Sequence, residues 1–125
     1  MKLAKGFAIA TALVLGLGVV SAHAAGDAKK GEKVFRKCKA CHTANKGGHG
    51  RVGPNLYGVV GRKAGTSNFK RYKALKGSDV VWTEANLDKW LTNPKKFIGK
   101  RTPMTLKLRK ASQRADVIAY LKTLK

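Results

Sequence analysis

Two cysteines three positions apart, followed at once by a histidine, form the stretch Cys38-Lys39-Ala40-Cys41-His42 in a chain of 125 residues. On a helical turn, residues three and four apart share a face. Both thiols can therefore meet the vinyl edge of one porphyrin and form thioether bonds, while the next side chain supplies a neutral imidazole nitrogen to the iron. This is the spacing of c-type haem attachment, a specific motif among short ones. Three other uses of the residues compete. A structural zinc site needs four ligands, and beyond these three only His49 and carboxylates remain, without a second close Cys or His pair. A thioredoxin-like redox pair belongs at the start of a helix after a buried strand, in an alternation of strands and helices that this sequence lacks. A plain disulfide leaves His42 unexplained. Haem attachment is the reading we carry forward.

A haem iron has a second axial position, and one residue is suited to it. The sequence contains only Met1 and Met104, so Met104 is the sole thioether beyond the first residue. A lone methionine is usually core filler, but Met104 lies in the polar, proline-bearing stretch Thr102-Pro103-Met104-Thr105. Opposite His42 it would complete a six-coordinate iron, and Met/His ligation raises the reduction potential. A closed coordination sphere favours electron transfer over oxygen chemistry. Other candidates follow from the chemistry of the group. A ligating imidazole commonly donates its second N–H to a carbonyl, and a backbone carbonyl near Pro54 is the candidate. Arg62, Tyr72 and Trp82 have polar ends able to reach haem propionates, although Trp82 also reads as a core aromatic whose N–H is satisfied elsewhere. His49 reads as a loop surface residue.

The elements that must position these groups can be read in part. Lys2 and Lys5 precede an apolar run from Gly6 to Val20, and Ser21-Ala22-His23-Ala24-Ala25 follows, the form of a secretory signal peptide. The run is short of the roughly 20 residues of a membrane span, so an uncleaved anchor is the weaker reading. We expect residues 1–24 to be a cleaved export signal, with cleavage after Ala24 and Ala25 as the alternative, and residues 25–125 to form one domain. From the N-cap Asp27 to about Lys39 a helix is expected, with Gly31, Val34, Phe35 and Cys38 on one face. The segment 46–55 is a glycine-rich loop, and Gly58 to Asp79 is a second, basic, aperiodic region. Thr83 caps a helix bearing Leu87, Trp90 and Leu91, which Asn93-Pro94 ends. Pro94 opens a short turn that Gly99 closes. A last helix from about Ser112 to Leu124 presents Val117, Tyr120, Leu121 and Leu124, and Gly31 with Phe35 is the surface it should meet.

Charge narrows the class of partner. The chain has 27 Lys+Arg against 6 Asp+Glu, and Lys2 and Lys5 belong to the leader, which leaves 25 against 6, a formal +19, on residues 25–125. Such a surface attracts acidic partners and speeds encounter at low salt. Acidic redox proteins are the expected partners, with peripheral contact to an anionic membrane as the second use. Nucleic acid is excluded by export and by the lack of a recognition motif or interleaved aromatics. We expect a monomer.

Taken together, the sequence resembles the class I cytochromes c of the mitochondrial or bacterial c2 type. The resemblance runs through nearly all of residues 26–125 and is carried by Cys38-Lys39-Ala40-Cys41-His42-Thr43, Gly53-Pro54-Asn55-Leu56-Tyr57-Gly58, Gly61-Arg62-Lys63, Trp82, Asn93-Pro94-Lys95-Lys96-Phe97-Ile98, Met104 and Asp116-Val117-Ile118-Ala119-Tyr120-Leu121-Lys122. It implies an all-α fold of three to five helices around one haem c, with the first and last helices crossing where Gly31 meets Tyr120. It also implies that Cys38 and Cys41 bind haem, that His42 and Met104 ligate iron, that the Pro54 carbonyl steadies His42, and that Trp82, Arg62 and Thr102 serve the propionate side. The family's loop before the methionine is altered here: Gly99-Lys100-Arg101-Thr102-Pro103 is one residue longer, and Thr105-Leu106-Lys107-Leu108 replaces the usual apolar-aromatic-Ala-Gly run. Tyr72 is also off by one from the family spacing. The function implied is a soluble periplasmic one-electron carrier, not an enzyme. Its expected partners are a cytochrome bc1-like donor and a terminal oxidase, reaction centre or periplasmic dehydrogenase. Lys37, Lys95, Lys96, Arg109 and Lys110 are expected on the docking rim. A haem peroxidase or ligand sensor with a labile Met104, and a cytochrome dedicated to one enzyme, are the rival functions.

Overall fold

The computed structural model describes residues 25–125. The export signal expected over residues 1–24 lies outside the described residues. Among the described residues four helices follow in order: α1 (Ala28–Phe35), α2 (Glu84–Thr92), α3 (Pro94–Ile98) and α4 (Ala111–Lys122). Among the described residues there is no strand, only an isolated antiparallel bridge between Lys63 and Val81. The architecture is therefore the all-α one expected, and long loops carry the rest of the chain.

The helix starts follow from their capping residues, whose side-chain oxygens satisfy amides that have no intrahelical partner. The Asp27 carboxylate accepts from the Lys30 amide, Thr83 from the Asn86 amide and Asn93 from the Lys96 amide. Asn93 ends α2 and starts α3, with Pro94 in the first turn where its missing N–H costs nothing. Gly99 stops α3 in the left-handed conformation, φ 68°. The bond from the Asp27 carboxylate also holds that group below its ordinary value, burial opposing weakly.

Helices α1 and α4 pack against each other at the chain's two ends. Gly31 is the point of closest approach: a Cβ there would overlap the Asp116 carbonyl oxygen and come within 2.8 Å of the Tyr120 Cβ. Beside it the Phe35 and Tyr120 rings meet with centroids 5.1 Å apart. The Asp27 amide donates to the Asp116 carboxylate at 2.8 Å, tying the start of α1 to the middle of α4. Phe35, Val117, Ile118 and Leu121 are buried there, and Leu87, Trp90 and Leu91 of α2 continue the core.

One expected boundary moves. The first helix stops at Phe35 rather than near Lys39, and residues 36–41 form successive turns. The Arg36, Lys37 and Cys38 amides donate three residues back, to Lys33, Val34 and Phe35, a tightening common at helix ends. The apolar spacing continues through Cys38 while the backbone does not continue as α-helix. The last helix runs Ala111–Lys122, close to the expected span.

Candidate functional site

The cysteine pair sits on the turn just after α1. The Cys41 and His42 amides both donate to the Cys38 carbonyl, at 3.1 and 2.9 Å. This single turn brings the two sulfurs and the imidazole to the same wall. Cys38 is buried and Cys41 exposed. Burial, with the neighbouring Cys41 adding to it, pushes the Cys38 thiol up to about 11, so as a free group it is a neutral thiol.

His42 is held by the glycine-rich loop. Its Nδ1 lies 2.7 Å from the Pro54 carbonyl oxygen. A carbonyl only accepts, so Nδ1 carries the proton and Nε2 keeps its lone pair. Burial lowers the His42 pKa, the Pro54 bond opposing, and the ring is thereby kept neutral and ready to ligate. Gly53 lies against the ring: a Cβ there would stand 2.5 Å from Cε1 and 2.9 Å from Nδ1. The Gly53 amide in turn donates to the Cys41 carbonyl at 2.8 Å. Buried Asn55 fixes the rest of the loop, donating to Thr43 Oγ1 and the Asn45 carbonyl and accepting from the Tyr57 amide.

Cys38, Cys41, His42, Pro54, Arg62, Tyr72, Trp82, Thr102 and Met104 all border one cavity of about 260 Å³, so every site residue named from the sequence reaches the same space. Its walls are completed by apolar side chains, among them Phe35, Leu56, Val59, Leu91 and Leu121. The residues present fit a haem: two thiols and a free imidazole nitrogen from one turn, a thioether on the same cavity, and apolar side chains completing its walls.

The polar candidates differ in how they are held. Arg62 donates from Nη1 to the Tyr57 carbonyl and from Nη2 to the Asn55 carbonyl, both at 3.2 Å, which fixes the guanidinium beside the His42 loop. Trp82 is buried at the wall, and its indole N–H makes no hydrogen bond to another described residue. Tyr72 has its hydroxyl 2.6 Å from Ser67 Oγ. Thr102 Oγ1 accepts from the Met104 amide at 3.4 Å, a contact within the methionine loop. His49 is exposed and only its backbone is used, accepting from Thr43 Oγ1.

Two residues that border this cavity escaped the sequence reading. Trp90, read there as one of three apolar positions on α2, donates its indole N–H to Met104 Sδ at 3.2 Å. The signal available was that a buried indole N–H needs an acceptor. Gly53, read as a loop breaker and as the first residue of the family stretch 53–58 but given no role, is required small by the His42 ring.

A sequence model of the cytochrome c family matches residues 28–125. The chain belongs to the cytochrome c family. It is 48% identical over 98 residues to a cytochrome c from Theileria parva, covering 78% of this chain and 85% of that one. It is 44% identical over 111 residues to cytochrome c2 from Rhodospirillum rubrum, covering 80% and 99%. Among solved structures it is similar to cytochrome cH from Methylobacterium extorquens, with a TM-score of 0.71, 42% identity and coverage of 78% and 99%. Cytochrome c2 from Rhodospirillum centenum gives a TM-score of 0.75 at 34% identity, with coverage of 79% and 98%. As a cytochrome c the protein is an electron carrier rather than an enzyme, and its cofactor is one covalently bound haem c.

Proposed function

We propose that this chain is an exported, soluble periplasmic one-electron carrier. Cys38 and Cys41 hold the haem by thioether bonds, His42 and Met104 ligate its iron, and Arg62, Trp82 and Thr102 serve the propionate side. The observation that carries the reading is the convergence of the thiol pair, the lone-pair nitrogen of His42 and the thioether of Met104 on one apolar cavity. When bound, the haem supplies an iron that takes up and gives back one electron. The chain's part is to fix the surroundings. The Pro54 carbonyl orients His42 and raises its donor strength. The Trp90 N–H sits on the Met104 sulfur, and the apolar walls exclude water, which raises the potential further.

Residues 1–24 act as the export signal, supported by the Lys-flanked apolar run and the small residues before Ala25. Fractionation of the producing cell and N-terminal sequencing of the purified protein test this; the expected mature chain starts at Ala25 or Gly26. The partners are acidic redox proteins, a cytochrome bc1-like donor on one side and a terminal oxidase, reaction centre or periplasmic dehydrogenase on the other, and the carrier works as a monomer. Among the described residues no helix is long and apolar enough to cross a membrane.

The deciding experiment is the absorption spectrum of purified protein, oxidised and reduced, before and after Met104→Ala. The ferric protein should show the weak sulfur-to-iron band near the red end of the spectrum. The variant should lose it and bind cyanide readily at neutral pH. Ready cyanide binding by the unaltered protein, with no such band, would point instead to ligand sensing or peroxidase chemistry.

A further inference from the structure

The loop from Gly99 to Lys110 carries Met104, yet it is tied down at few points. Its two ends are closed by the Gly99 amide on the Lys95 carbonyl and the Arg114 amide on the Lys110 carbonyl, and among the described residues the one backbone bond between them to another element runs from the Leu108 amide to the Leu91 carbonyl, at 2.8 Å. That carbonyl belongs to the last turn of α2, where no intrahelical donor remains. The next residues lead into α4, whose N-cap Lys110 offers no side-chain bond to the first turn. Arg109 and Lys110 also bring positive charge to the positive end of that helix. On local grounds this is a weak junction.

A single side chain compensates. Arg114, in the second turn of α4, donates from Nη1 to the Leu108 carbonyl at 2.9 Å and to the Arg109 carbonyl at 3.0 Å. Its Nε donates to Asp88 Oδ1 of α2 at 2.7 Å. The Arg114 side chain is 13% exposed and that of Asp88 33%, so this is the most buried of the three ion pairs among the described residues. The guanidinium reaches these partners from two separate nitrogens of one rigid plane, whereas an ammonium has its three donors on a single atom. Asp88 and Leu91, three apart on one face of α2, thus grip the loop's end from the same helix that presents Trp90 to the sulfur.

We propose that Arg114 is a positioning residue for the Met104 ligand: with Asp88 it clasps Leu108–Arg109 to α2 and holds the methionine loop closed over the haem. The proposal rests on Met104 being the sixth ligand. Leu108 is four residues from Met104; without the clasp it is held by its buried side chain and its amide bond to Leu91 alone, and the Arg109 carbonyl loses its guanidinium partner. Charge-assisted hydrogen bonds of this kind are worth more than neutral ones. Releasing them should favour the open loop without opening the α1–α4 contact.

The test uses the haem-loaded, full-length mature protein and imidazole as the competing ligand. In Arg114→Gln and in Asp88→Asn the imidazole concentration that halves the sulfur-to-iron band should fall, by about tenfold in Arg114→Gln, the scale set by loss of charged hydrogen bonds. Far-UV helix content should stay unchanged, and Arg114→Lys should fall between the two. Glu84→Gln, which removes the exposed pair with Lys122, is the control and should behave as the parent. A lowered urea midpoint in both clasp variants with unchanged imidazole competition would overturn the proposal, because Arg114 would then stabilise the fold alone. If Arg114→Gln does not fold, Asp88→Asn decides: unchanged competition there refutes the clasp. Absence of the band from the parent protein would sink the Met104 assignment and the clasp with it. A band present in the parent and equally resistant in every variant would sink the clasp alone.

Discussion

The indole N–H of Trp90 points its positive end at the Met104 sulfur from 3.2 Å; with Met104 as the proposed sixth ligand, this would weaken the sulfur as a donor to ferric iron and disfavour the extra positive charge of the oxidised state. Trp90→Phe removes the donor and keeps an aromatic ring against Trp82 and Phe97. The potential should fall by on the order of 40 mV, about 1 kcal/mol for one electron, as read by redox titration; a rise would reverse the proposed sense of the bond. At His42 burial holds the pKa below its ordinary value, the Pro54 bond opposing, which favours the neutral ring that an iron ligand must be. Cys38, Cys41 and His42 were singled out by type and spacing and Met104 as the sole thioether beyond the first residue, and the structure brings all four to one cavity. Trp90 and Gly53 were not singled out, because their roles exist only against a partner distant in the chain.

Among the helices, α1 and α4 make the most extensive contact, and Gly31 sets its distance. In Gly31→Ala the new Cβ would meet backbone, the Asp116 carbonyl, rather than a side chain free to turn aside. The expected loss is roughly 1–3 kcal/mol, the range for overpacking, partly offset by the better helix propensity of alanine. Denaturant unfolding followed by circular dichroism measures it, and an unchanged midpoint would mean that the helices can separate at no cost. Caps and apolar spacing made these elements legible: Asp27, Thr83, Asn93-Pro94 and Gly99 sit where the sequence puts them. The end of α1 was not, since Val34, Phe35 and Cys38 keep a helical spacing while the backbone tightens into the turns that aim the cysteines. The basic region 58–79 gave no period for a different reason. Its order comes from distant partners, Gly58 to Leu124, Gly61 to Trp82 and Ala64 to Val80, which no window of local sequence contains.

Over the whole molecule, residues 25–125 hold 25 basic against 6 acidic side chains, and the acids are largely committed to structure. Asp79, Glu84 and Asp88 pair with Lys63, Lys122 and Arg114, while Asp27 caps α1 and Asp116 takes the Asp27 amide. Lys37, Lys95, Lys96, Arg109 and Lys110 are exposed and make no ion pair among the described residues. Lys37 also borders the haem cavity. This arrangement makes salt act in two opposite directions. Screening weakens attraction to an acidic partner, and the Debye length of about 10 Å at 0.1 M is short against the reach of such a field. The bimolecular electron-transfer rate with an acidic redox partner should therefore fall by roughly tenfold or more between low and physiological ionic strength. The same screening relieves repulsion within the basic surface, so the denaturation midpoint should hold or rise over that range. Stopped-flow rates and unfolding curves taken in the same buffers separate the effects. A rate that falls together with the midpoint would report damage to the fold, and a rate indifferent to salt would remove the basic rim from docking altogether.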